Sequence, residues 1–161
     1  MAAQDVVGTS VAAPLACKLR VRYAECDPQG VVFNAHFLAY FDIAVTELFR
    51  EAFGAMGGYQ AIVDHGVELV VAEAGLRYRR PAHFDDELTI EIAIARLGTT
   101  SITTSHRVLR DGERLVEGTL RHVLVDLKKL VEHEPDAKAT IPDWMRERLV
   151  PYLRSNPSRE S

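Results

Sequence analysis

The sequence predicts an α+β domain, with one long helix packed on a five-stranded antiparallel sheet and a second helix near the C-terminus. Two observations carry the prediction. A wide apolar stripe of helical period runs over residues 35–53, and beyond it the apolar period changes to two in four consecutive segments joined by short turns. Strands that follow one another through short turns pair antiparallel, and an apolar helix face must be buried on the sheet they make.

Residues 18–23, Lys-Leu-Arg-Val-Arg-Tyr, alternate polar and apolar as a half-buried strand does. They run into Cys26-Asp-Pro-Gln-Gly30, where Asp-Pro and the following glycine are turn chemistry. In the helix, Phe37, Phe41, Ala44, Val45, Leu48 and Ala52 recur three or four apart. Leu38, Phe49 and Phe53 widen that stripe, and Asp42, Thr46 and Arg50 mark the polar side. Gly54, Gly57 and Gly58 break the helix, and a short helical turn over 59–65 is stopped by Gly66. Residues 68–80, 87–96, 101–110 and 113–126 are the period-two strands, with Leu88, Ile90, Ile92 and Ile94 on one face of the second. Asp111-Gly112 is a two-residue hairpin signal. Thr140-Ile-Pro-Asp143 resembles a capping box and opens a last amphipathic helix through Leu153.

A chain of 161 residues is one domain that buries about two-thirds of its unfolded surface. The first sixteen residues carry Asp5 and no Lys or Arg, and Gly8, Thr9 and Ser10 interrupt their apolar residues, so they lack the regions of a secretory signal. They are expected to be a disordered tail, as are residues 155–161, which leaves 17–154 as the folded unit. The net charge of -4 argues against a nucleic-acid binder, and no run approaches the roughly 20 apolar residues of a membrane span. Cys17 and Cys26 form no disulfide framework, and their spacing fits no zinc pattern; a reduced, cytoplasmic setting is expected.

Three segments go further. They are Asp27-Pro-Gln-Gly-Val-Val-Phe-Asn34 followed by Phe37, Tyr40 and Phe41; Ala44-Val-Thr-Glu47-Leu-Phe-Arg50; and Tyr78-Arg-Arg-Pro-Ala-His-Phe-Asp-Asp-Glu-Leu88. In this order and with this strand count, residues 19–125 resemble the hotdog-fold thioesterases, closest to the 4-hydroxybenzoyl-CoA thioesterase-like branch of acyl-CoA thioester hydrolases. The resemblance implies a hotdog fold, a long central helix wrapped by a curved antiparallel sheet. It also implies a homodimer paired sheet edge to sheet edge, with two active sites at the interface, and such dimers often pair again into a homotetramer. The substrate implied is an acyl-CoA. No separate cofactor is expected, since coenzyme A arrives as part of the substrate.

Thioester hydrolysis needs an attacking oxygen, or a base that activates water, and donors for the developing oxyanion. Asp27 stands at a strand end, before a glycine turn and upstream of a helix start. The first amides of that helix, around Asn34, Ala35 and His36, lack intrahelical partners and carry the positive end of the dipole, which suits an oxyanion hole. Gly30 lets the backbone approach a substrate closely. By resemblance the family's catalytic aspartate maps onto Asp27, as nucleophile through a mixed anhydride or as general base for water; a turn aspartate before proline is the plainer reading of the same residue. The position seven beyond it, often His in related bacterial members, is Asn34, which can donate a hydrogen bond but cannot serve as a base. Gly30, Val31, Phe33, Ala35, His36 and Phe37 are expected to bind substrate, with Arg79 and Arg80 for the phosphates of coenzyme A.

Arg77, Arg79 and Arg80 form the densest basic cluster, which reads equally as a solvated strand end; alternation sends Arg80 to the face opposite Arg77 and Arg79. Residues 96–101, basic in some relatives, hold a single arginine here. Cys26 has no local cation to activate it and reads as a small buried side chain. Glu47 matches a family helix position and is expected to be structural. His65, His83, His106, His122 and His133 show no metal-ligand spacing, so no metal is expected. A hotdog hydratase would bring a catalytic histidine with an acidic partner near the central helix, a pattern absent here. A non-catalytic acyl-thioester-binding module would not need Asp27.

Overall fold

The computed structural model describes residues 13–154. Residues 1–12 and 155–161, most of the two segments expected as tails, lie outside the described residues. Short turns set the centre of the sheet. Strands β3 (Glu87–Leu97), β4 (Ser101–Arg110) and β5 (Glu113–Asp126) follow one another as an antiparallel meander, and Asp111-Gly112 closes its second hairpin with both residues at positive φ. The edges come from earlier in the chain. Strand β1 (Leu15–Arg20) pairs with β3 and β2 (Val67–Tyr78) pairs with β5, so the sheet order is β1-β3-β4-β5-β2. Helix α1 (His36–Phe53) packs on one face of this sheet, which is the hotdog arrangement. Short helices α2 (Gln60–Asp64), α3 (Leu127–Val131) and α4 (Asp143–Leu149) complete it. Among the described residues no helix is long and apolar enough to cross a membrane.

The α1 stripe is the centre of the core. Phe37, Tyr40, Phe41, Ala44, Val45, Leu48, Phe49 and Phe53 are all buried, each apolar side chain of this size contributing about 1.5–3 kcal/mol over exposure. They meet Leu88, Ile90, Ile92 and Ile94 of β3 and Ile102 and Val108 of β4. Leu38, expected to widen the stripe, is exposed, because it falls about 100° round the helix from Phe37, past the edge of the face that meets the sheet. Phe41 lies directly over Gly118 of β5. A Cβ on that glycine would sit 2.7 Å from the Phe41 ring and 2.4 Å from the Gly75 carbonyl oxygen of β2. The Phe41 ring also stacks on His106, the register partner of Gly118 on β4, centroid to centroid at 4.3 Å.

Several boundaries differ from the sequence expectation: β2 ends at Tyr78 and not Arg80, and the last helix, expected through Leu153, ends at Leu149 and gives way to a 3-10 turn over Val150–Tyr152. Strand β1 begins at Leu15, so Leu15 and Ala16, read as tail, pair with Ile92 and Glu91 of β3. It ends at Arg20, after which Val21 bonds to the turn before β3 and Tyr23–Glu25 closes into a 3-10 turn held by the Glu25 carboxylate on the Arg22 amide. No Thr140 capping box forms. Ile141 precedes a proline, which disfavours helix there, and α4 starts after an extended Pro142. Helix α3 was not expected; Asp126 caps it by accepting from the Lys129 amide at 3.0 Å.

Candidate active site

Asp27 opens a tight loop. Its amide donates to the Val31 carbonyl at 2.9 Å, its carbonyl accepts from Gly30 at 2.9 Å, and its Oδ1 accepts from the Gln29 amide at 2.8 Å. Gly30 takes φ +78°, the left-handed region that the reversal requires. The Asp27 side chain is half-buried, and Oδ2 makes no hydrogen bond among the described residues. The returning arm is pinned on both sides. Phe33 bonds to the Glu25 carbonyl at 2.9 Å, and Val32 bonds to the Ala82 carbonyl at 2.8 Å in the turn after β2. Behind the loop, the buried Tyr40 of α1 donates its hydroxyl to the Glu25 carboxylate at 2.8 Å, fixing the segment before Asp27 to the helix. Burial and that carboxylate push the Tyr40 phenol well above its usual range.

These ties bring the start of α1 against the end of β2 and leave an open cleft of about 270 Å³ between them, lined by Val31, Val32, Asn34, Phe37, Tyr78, Arg79, Arg80 and Pro81. Asn34, Val31, Phe37, Arg79 and Arg80 were expected at the site and are brought together here. Asp27, Gly30, Phe33, Ala35 and His36 do not line the cleft; they lie on the adjoining loop and first helical turn, with half of Phe33 exposed.

The helix start offers fewer free donors than expected. The His36 amide is already engaged, donating to the Phe33 carbonyl at 2.9 Å. The amides of Asn34 and Ala35 have no backbone acceptor among the described residues, and Ala35, as N-cap, supplies no side-chain cap. His36 packs edge-on against Phe33 at 6.2 Å.

Arg79 and Arg80 lie beyond the end of β2, and both amides donate to the Leu115 carbonyl, at 2.8 and 3.1 Å. That shared acceptor breaks the strict alternation expected of them. Each is also paired: Arg79 with Glu117 at 2.5 Å and Arg80 with Glu113 at 3.3 Å. Burial works against ionisation of Glu117, but the Arg79 and Arg114 guanidiniums outweigh it and hold its carboxyl below the usual range. Arg77 is exposed and makes no ion pair among the described residues.

Sequence reasoning passed over Val32, Pro81 and above all Tyr78. The Tyr78 hydroxyl donates to the Asn34 carbonyl at 3.0 Å, and its ring meets Phe37 edge-on at 5.7 Å. The available signal was its place at the head of the Tyr-Arg-Arg-Pro segment. Cys26 is half-buried, and its thiol lies 3.8 Å from the Arg22 carbonyl. Glu47 pairs with Arg50 one helical turn on. Among the described residues no group of three His, Cys, Asp or Glu side chains is placed to hold a metal ion. His65 bonds to the Ala61 carbonyl and packs on Trp144, while His106 and His122 are buried under α1. Burial pushes His106 down to about 3, helped by His122. Burial also lowers His122, and the charge of Asp42 on α1 opposes it.

Comparisons with known proteins bear on the family and the fold. A family model described as the thioesterase-like superfamily matches residues 21–149. The acyl-CoA thioester hydrolase YbgC of Escherichia coli O6:H1 is 31% identical over 113 residues, covering 70% of this chain and 82% of that protein. Among solved structures, protein TT1821 of Thermus thermophilus is 28% identical with a TM-score of 0.74, covering 85% of this chain and 98% of that one. Protein AQ1494 of Aquifex aeolicus is 25% identical, also with a TM-score of 0.74, covering 84% and 99%.

Proposed function

This chain belongs to the thioesterase-like superfamily and is a thioester hydrolase; from that premise we propose that it cleaves an acyl-CoA to the free acid and coenzyme A, with Asp27 at the reacting carbon. The observation that carries the proposal is the pairing of one unengaged Asp27 carboxylate oxygen with two unengaged helix-start amides, on a single pinned loop beside the cleft. The Asn34 and Ala35 amides suit an oxyanion, because they are preorganised and carry the positive end of an 18-residue helix.

Two routes balance. As nucleophile, Oδ2 adds to the thioester carbonyl, the C–S bond breaks, the coenzyme A thiolate leaves and takes a proton, and water then hydrolyses the mixed anhydride. As base, Asp27 takes a proton from water whose oxygen adds to the carbonyl, and collapse of the adduct expels the thiolate. A single turnover in ¹⁸O-water identifies the nucleophile route when water opens the anhydride at the aspartyl carbon. Only the nucleophile route leaves label in the Asp27 carboxylate.

For the phosphates of coenzyme A, Arg80 is the readier group, since its pair with Glu113 is exposed and exchanges at little cost. The cleft falls short of the roughly 300–1,000 Å³ of a complete ligand site. A second copy of the chain would complete it. Strand β2 supports this, being an edge of twelve residues with Val70, Val71 and the stretch to Gly75 exposed, an edge that natural proteins cover or pair.

The hydratase reading finds little support. His122 feels the Asp42 carboxylate of the central helix, but it is only 4% exposed and no hydrogen bond joins the two among the described residues. The test is thiol release from a panel of aliphatic and aromatic acyl-CoAs, with Asp27→Asn in parallel. Hydrolysis lost in the variant supports the proposal. Absence of hydrolysis on every substrate, full activity in the variant, or hydrated enoyl-CoA as the product overturns it.

A further inference from the structure

We infer that Tyr78 is a positioning residue that aims the Ala35 amide at the thioester oxygen, acting through the Asn34–Ala35 peptide group; the inference rests on the acyl-CoA hydrolase reading above. A trans peptide group is planar, and its C=O and N–H point in opposite directions. The Tyr78 hydroxyl holds the Asn34 carbonyl at 3.0 Å. The N–H of that same plane belongs to Ala35 and has no backbone acceptor among the described residues. Anchoring one end of the plane therefore sets where the other end points.

The competing hold on this carbonyl is weak. The Phe37 amide approaches it at 3.4 Å, past the usual range for N–H···O, so the tyrosine is the firmer anchor. The neighbouring amide is fixed differently. Asn34 N–H shares its plane with the Phe33 carbonyl, which the His36 amide holds at 2.9 Å within the first turn of the helix itself. That anchor is local, whereas the Tyr78 anchor exists only because the end of β2 packs against the start of α1. The ring of Tyr78 is steadied in turn by Phe37, edge-on at 5.7 Å, and both side chains line the cleft with Asn34.

A hydrogen bond accepted by a carbonyl also polarises its peptide group and strengthens the N–H as a donor. Aim and polarity matter most when negative charge builds on the thioester oxygen, so the effect belongs to kcat and not to ground-state binding.

Tyr78→Phe tests this, since it keeps the ring and its contact with Phe37. On an acyl-CoA that the wild type hydrolyses, kcat is expected to fall about tenfold, less than for outright loss of an oxyanion donor, with KM within about twofold. In a ¹⁵N–¹H correlation spectrum the Ala35 amide proton should move upfield, further than that of Asn34. Unchanged kcat, a raised KM at constant kcat, or an unmoved Ala35 resonance overturns the inference. If the wild type hydrolyses acyl-CoA and the variant matches it, only the Tyr78 inference falls; if the wild type hydrolyses none, the functional reading falls and takes the inference with it.

Discussion

At Asp27 the Gln29 amide holds Oδ1 at 2.8 Å, so the carboxylate is oriented by its own loop while Oδ2 remains available. Asparagine can keep the Oδ1 acceptor and the loop, but it loses both nucleophile and base. Asp27→Asn should lower kcat by about 10²–10⁴ in a thiol-release assay and leave the thermal midpoint unchanged. His106 makes a different prediction. In the fold it is neutral, with Nε2 against the Thr104 hydroxyl at 2.8 Å and Nδ1 buried without a partner among the described residues. Its titration is pushed from 6.5 to about 3. The unfolded chain therefore binds the extra proton first as pH falls, and stability is lost progressively from about 6.5 toward about 3, at about 1.4 kcal/mol per pH unit. Urea midpoints between pH 7 and pH 5 should fall less steeply in His106→Leu than in the wild type. That Asn34 and Phe37 stand at the cleft was legible, because each sits in a segment whose types and spacing are local. Tyr78 was not, because its role depends on a carbonyl 44 positions away.

Between elements, the contact that sets the depth of α1 on the sheet is Phe41 over Gly118. Gly118→Ala would drive a methyl into the Gly75 carbonyl and the Phe41 ring, and neither the backbone oxygen nor a fully buried ring stacked on His106 has room to yield. A loss of about 1–3 kcal/mol in chemical denaturation is expected, with the cleft disturbed because Phe37 lies one turn from Phe41. The extents of β4 and β5 could be read to the residue, and α1 nearly so, since alternation, a two-residue turn and a helical stripe are all local signals. The start of β1 could not, because Leu15 and Ala16 become strand only by pairing with Ile92 and Glu91, far along the chain. Nor could the start of α4, where the restriction that Pro142 places on Ile141 outweighs the cap that Thr140 suggests.

For the whole molecule, the open question the fold poses is what pairs with the exposed edge of β2. Val71 is 53% exposed and lies at the bulge of that strand. If β2 pairs with a second copy, Val71→Lys should shift the protein from dimer to monomer in sedimentation analysis and remove hydrolysis, while circular dichroism is retained. A variant that stays dimeric would show that β2 is not the pairing edge, and a monomeric, fully active one would show that the site is complete within one chain. The strand order has a further consequence, for synthesis. Both edge strands and the whole of α1 are translated before the β3–β4–β5 meander that receives them. Until β3 emerges β1 has no partner, until β5 emerges β2 has none, and the aromatic side chains of α1 have no sheet to cover. The first half of the nascent chain thus leaves the ribosome as sticky, unpaired parts, and the sheet can be completed only after β5, the partner of β2, has emerged.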